Sequence, residues 1–207
     1  NDMPPYKDPN LDIEQRLDDL ISRMTLDELI MQTDQFGPPD VMEGERGQWK
    51  LSLEKAKEKF HGHSVGAIGP FSPEVGNALQ RWAVEQTRLG IPLLFNSEGV
   101  HGASIKGSTI FPQQIGLASS FDPEVSRQMG HVIATESRAS GIHEVWSPVM
   151  DLMRDPRFGR TEEAYGEDTF LASEFARAGV RGMQGDDLTA PDAVACELKH
   201  YAAYGSP

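Results

Sequence analysis

The residues able to do chemistry fall in three groups: Glu98 and His101 in NSEGVHG, the run Asp151 to Asp168 (DLMRDPRFGRTEEAYGED), and the adjacent pair Lys199-His200 in ELKHYAAYG. The middle group interleaves Arg154, Arg157 and Arg160 with the acids Asp151, Asp155, Glu162, Glu163, Glu167 and Asp168, around Pro156, Gly159 and Gly166. Carboxylates accept hydrogen bonds and Arg, Lys and His donate them, so such a set either locks a corner of the fold by ion pairs or lines a polar binding site. Charge pattern alone favours the corner, because ion-pair networks are common and ligand sites few. What shifts the balance is where the groups sit.

Val65 to Ile68, Ile91 to Phe95, Val145 to Met150 and Val194 to Leu198 are short apolar runs of the kind that form buried strands. Helical patterns separate them. Ser72-Pro73-Glu74 supplies a cap and an N1 proline for a helix running to Gly90, Asp122-Pro123 does the same for a helix ended at Gly141, and a third spans about Thr169 to Met183. Strand alternating with helix implies parallel βα units, hence an open doubly wound sheet or a closed eight-stranded barrel. No GxGxxG or Walker pattern follows a strand, which weakens a nucleotide-binding reading. In a barrel, function gathers in the loops after the strands. All three polar groups follow strands: Glu98 and His101 the second, the arginine-acid loop the third, Lys199-His200 the fourth. That coincidence raises the binding-site reading above the structural one. Ahead of this region, residues 1–64 read as a helical lead-in: Ile13, Leu17, Leu20, Ile21 and Met24 recur at helical spacing, Thr25 and Glu28 form a capping-box pair, and Ser52 to Phe60 is a short helix.

At 207 residues and 38% hydrophobic content the chain can bury a core, and no run approaches the ~20 apolar residues that cross a bilayer. A net charge of -13 excludes a nucleic-acid surface and suits neutral substrates. The lone Cys196 lies in an apolar run and reads as a small hydrophobe; His61 and His63 have no third ligand near them and read as loop residues, so no metal is expected. The Pro-rich start at Asn1 suits an N-terminus left by processing or trimming.

Taken together, IPLLFNSEGVHG, TIFPQQIGLASSFDPE, RDPRFGRTEEAYGED and ELKHYAAYG, with RMTLDELI near the start, resemble the N-terminal barrel domain of glycoside hydrolase family 3, and the resemblance covers nearly the whole chain. It implies a (β/α)8 TIM-like barrel, of which residues 65–207 would form about the first half, binding the non-reducing terminal sugar of a β-glucoside or β-xyloside that is cleaved with retention. By position, Glu98 matches the acid that binds glycone hydroxyls, Arg160 the arginine of the GR element, and Lys199 and His200 the KH pair. Glu163 is expected to hold Arg160 or Lys199, with His101 and Arg154 in support. A sugar presents hydroxyls that both donate and accept, so carboxylates beside Lys and Arg suit it. Adjacent strand residues point to opposite faces, so Lys199 and His200 can serve one sugar only if the backbone departs from regular geometry there, as in a strained or cis peptide.

A retaining glycosidase needs two carboxylates about 5 Å apart and no cofactor. In the family both come later than Pro207, so the chain reads as part of a longer polypeptide, or as one completed by another chain. β-Glucosidase is the first expectation and β-xylosidase close behind; Glu98 stands where many β-glucosidases carry aspartate, a difference that does not decide between the two sugars. An N-acetylhexosaminidase carries a different loop signature, and a non-catalytic sugar-binding module on a degenerate barrel is the reading from another class. Family habit implies a periplasmic or secreted protein.

Overall fold

The computed structural model describes residues 3–45, 48–69, 71–201 and 204. They form two compact units, Asn1–Ile68 with Asn77–Leu93, and Gly69–Gly76 with Leu94–Pro207.

The first unit opens with α1 (Ile13–Arg23), capped by Asp12, and α2 (Leu26–Gln32), where Thr25 and Glu28 exchange the hydrogen bonds of a capping box. Glu28 is buried, and the Arg88 guanidinium that grips both its oxygens holds its carboxyl below the usual range. Next come β1 (Gln35–Phe36), α3 (Pro38–Val41), the hairpin strands β2 (Met42–Glu43) and β3 (Lys50–Leu51), α4 (Leu53–Lys59) and β4 (Ala67–Ile68). Strand β1 pairs in parallel with β4, so the lead-in is not wholly helical, contrary to the sequence reading. Phe36, Phe60 and Trp82 stack in series at 4.7 and 6.0 Å to form the centre of this core.

Helix α5 (Pro73–Gln86) starts where the Ser72-Pro73 signal places it and stops before Gly90. The next strand, β5 (Leu94–Glu98), lies three residues later than the apolar run suggested. Pro92 has no N–H to give a ladder, and the Leu93 N–H is taken by the Gln80 side chain at 2.7 Å, so pairing begins beyond them. Glu98 is therefore the last residue of the strand rather than part of the loop.

In the second unit, α6 (Gln114–Ala118) and α7 (Pro123–Ala139) precede β6 (Glu144–Trp146), while α8 (Thr169–Gln184) precedes β7 (Ala195–Cys196). Strands β5, β6 and β7 pair in parallel, with Glu98 opposite Trp146 and Val145 opposite Cys196. Both later strands are shorter than their apolar runs. Pro148 cannot donate to the ladder, and the Ser147-Pro148 peptide is cis; pairing resumes at a bridge between Val149 and Lys199.

Helices α7 and α8 approach almost backbone to backbone. A Cβ on Gly182 would stand 2.1 Å from the Arg127 carbonyl oxygen, and one on Gly130 would stand 2.6 Å from that of Gly179. Gly182→Ala should therefore lower stability by about 1–3 kcal/mol despite alanine's better helix propensity, read as a lower urea midpoint. Gly116→Ala, whose Cβ would meet only Pro112 at 3.7 Å, should leave the midpoint unchanged or raise it. Equal effects of the two substitutions would contradict this packing.

Strands β6 and β7 also bring two carboxyls together. Burial, followed by a hydrogen bond to Glu197, pushes Glu144 from its ordinary 4.5 up to about 7. The folded state binds this proton more tightly than the unfolded chain, so the contribution to stability is full below pH 4.5 and is lost as pH rises through about 7. The unfolding midpoint should fall over that window in the full-length protein, and Glu144→Gln should flatten the fall; an unchanged slope would refute the shared proton. Burial likewise pushes the Cys196 thiol up to about 12, in keeping with an inert residue.

Candidate functional site

The charged run Asp151 to Asp168 divides by role. Arg157 bonds Asp155 on the surface, and Asp168 caps α8 through the Leu171 N–H at 2.7 Å. Arg154 is exposed and forms no ion pair among the described residues. Arg160 and Glu163 turn the other way, to a cavity of about 560 Å³ that Glu98, His101 and Gln113 also line. The ion-paired corner and a cavity-facing side are thus both present in one loop.

Four cation-carboxylate or imidazole contacts build the site. Lys199 Nζ donates to Glu98 Oε2 at 2.6 Å, with the lysine side chain 11% exposed and the glutamate 46%. The ammonium is fixed below while the carboxylate keeps an open side toward the cavity. Arg160 grips Glu163 with two parallel bonds, Nε to Oε1 at 2.7 Å and NH2 to Oε2 at 2.5 Å. That fork raises the guanidinium well above its ordinary value and holds Glu163 below the usual carboxylate range, with the fields of Lys199 and His200 adding to the effect. On the other side of Arg160, NH1 lies 3.3 Å from His200 Nε2, whose Nδ1 lies 2.7 Å from Asp151 Oδ2. An Nδ1–H donated to Asp151 leaves Nε2 as the acceptor for the Arg160 N–H, so one tautomer satisfies both contacts.

Lys199 and His200 both reach this cluster, and the peptide between them is cis, which meets the expectation drawn from strand geometry. Glu163 proves to hold Arg160 rather than Lys199. His101 lines the cavity and its Nδ1 is buried without a partner among the described residues. The loop it opens depends on Gly102, whose φ of +149° and whose Cβ position, 2.4 Å from the Thr109 carbonyl oxygen, exclude a side chain. The loop closes with the Phe111 N–H on the His101 carbonyl at 2.8 Å.

Sequence reasoning missed two participants. Asp151 is buried and fixes His200, yet in the sequence it is one of six acids; its place directly after the strand run was the available signal. Tyr204 meets the same cluster, with its ring centre 4.2 Å from that of His200 and its hydroxyl 3.4 Å from Arg160 NH1. No spacing rule points to it. Among the described residues, no three His, Cys, Asp or Glu side chains stand together as a metal site, and no helix is long and apolar enough to cross a membrane.

Parallel strands alternating with helices, with a polar cluster at the carboxyl ends of β5, β6 and β7, define part of a (β/α)8 barrel and its ligand-facing rim. The profile of the glycosyl hydrolase family 3 N terminal domain matches residues 50–207, and the chain belongs to that family. It is 37% identical to a putative beta-xylosidase of Formosa agariphila, over 97% of this chain and 28% of that protein. To a periplasmic beta-glucosidase of Salmonella typhimurium it is 36% identical, over 91% of this chain and 23% of that one. Among solved structures, a mutant beta-glucosidase of Listeria innocua in complex with laminaribiose superposes with a TM-score of 0.80 at 37% identity, covering 94% of this chain and 27% of that one. The chain thus spans about a quarter of the length of these relatives.

Proposed function

We propose that this chain is the glycone-binding part of an exo-acting β-glycosidase that removes terminal non-reducing β-D-glycosyl residues by a retaining double displacement. The observation that carries the reading is the pairing of Glu98, Arg160 and Glu163, which line one cavity at the strand ends, with Lys199, His200 and Asp151 behind them, through the contacts Glu98-Lys199 and Glu163-Arg160-His200-Asp151. It offers a half-exposed carboxylate as acceptor beside fixed cationic donors, as a neutral, many-hydroxyl ring requires. Every carboxylate in the cluster is engaged: Glu98 by Lys199, Glu163 by Arg160, Asp151 by His200. A retaining mechanism also needs two further carboxylates, a nucleophile and an acid/base. Those two carboxylates are assigned to the rest of the polypeptide or to a complementing chain, and the mechanism needs no cofactor. Relatives named for beta-glucosidase and for beta-xylosidase match almost equally well, and similar solved structures are those of a beta-glucosidase, which supports placing β-glucosidase first with β-xylosidase as the close second. The periplasmic names of two relatives support a periplasmic or secreted location.

The test is hydrolysis of p-nitrophenyl β-D-glucoside and β-D-xyloside by the full-length protein, with NMR of the first-released anomer. Turnover with the β-anomer appearing first is expected. Binding of glucose without turnover would make the protein a sugar-binding module instead, and the α-anomer first would refute retention.

A further inference from the structure

The polar cluster has an aromatic side that the glycone reading leaves unassigned. The Tyr204 ring packs on the His200 imidazole at 4.2 Å and 45°, stands edge-on to Phe158 at 5.4 Å and 89°, and lies 5.7 Å from the Arg160 guanidinium carbon. Its hydroxyl is 3.4 Å from Arg160 NH1. Arg160 Nε and NH2 are both committed to Glu163, so among the described residues NH1 is positioned by the two long contacts to His200 and Tyr204. His200 in turn is held through Nδ1 to Asp151 and through Nε2 to Arg160, contacts in the plane of the imidazole that leave its face to be packed by another side chain. The Tyr204 ring is what packs there.

We propose that Tyr204, braced by Phe158, is a positioning residue of the glycone site, holding the His200 imidazole and the Arg160 guanidinium in the mutual orientation that a sugar meets. The proposal rests on the glycone-binding function above. The aromatic ring carries the role, because ring-to-ring and cation-to-ring contacts outnumber the single hydroxyl contact, and that contact is long. Tyr204 is 45% exposed among the described residues, so shortening it removes little of the packing within this chain. Fold stability should therefore survive substitution while sugar affinity does not.

The test compares Tyr204→Ala and Tyr204→Phe in the full-length protein by calorimetric titration with isofagomine, by KM and kcat on the aryl glycoside, and by thermal midpoint. Tyr204→Ala should weaken isofagomine binding and raise KM by about tenfold with an unchanged midpoint, and Tyr204→Phe should stay within about threefold of the parent. A structural role alone would lower the midpoint and the active fraction, leaving the dissociation constant and KM as they were, and would overturn the proposal. So would Tyr204→Phe losing as much as Tyr204→Ala. A parent protein that binds no isofagomine would overturn the glycone reading itself, whichever way the variants behave.

Discussion

Lys199→Met should lower kcat/KM by about 10² to 10³-fold, with sugar affinity falling alongside it. The lysine side chain is almost enclosed, and its ammonium lies 2.6 Å from Glu98. Removing it deletes one charge-assisted donor and leaves the Glu98 carboxylate without its fixed partner, so two interactions worth about 1.5–3 kcal/mol each are disturbed at once. Glu98→Gln keeps the shape and one acceptor, and should lose less. Steady-state kinetics with the aryl β-glycoside reads both. If Lys199→Met stayed within threefold of the parent, the lysine would be a structural partner of Glu98 and no sugar contact.

Arg160→Lys should cost nearly as much although the charge is kept, about 10²-fold in kcat/KM. A lysine ammonium cannot reproduce the parallel fork onto Glu163 and at the same time reach His200 Nε2. The conservative exchange therefore unties the joint between the loop after β6 and the segment after β7. Glu163→Gln should lose about tenfold, because the amide keeps one acceptor for the fork. Were Arg160→Lys to retain full activity, the site would need only positive charge there, and the His200-Asp151 arm would be independent of it.

Most of the elements were readable because their signals are local. Thr25 with Glu28 and Asp122-Pro123 cap the helices that their residue types announce. Strand ends were less readable, since an apolar run does not say where hydrogen bonds are available; Pro92 and Pro148 moved the boundaries of β5 and β6. Strand β1 is two residues long and has no periodicity to detect. The apolar stripe of α1 predicted a helix correctly but not its burial: Ile13, Leu17 and Ile21 are 63%, 42% and 53% exposed.

For the site, residue type and position after a strand pointed to three polar groups, and the family resemblance picked Glu98, Arg160, Lys199 and His200 out of them. The wiring between them was not legible, because it depends on contacts spanning 40 to 101 positions of sequence. Asp151 and Tyr204 become visible only when the chain ends of β6 and β7 are brought side by side. Arg154, which its motif implicates in support of the site, is exposed among the described residues.

The most direct measurement is a crystal structure of the full-length protein with glucose or isofagomine bound. Ring hydroxyls should lie about 3 Å from Glu98 and from the Lys199 or Arg160 nitrogens, with the Arg160-Glu163 fork intact. A sugar seated elsewhere, with this cluster unchanged and untouched, would reduce the cluster to the salt-bridged corner that its charge pattern alone suggests.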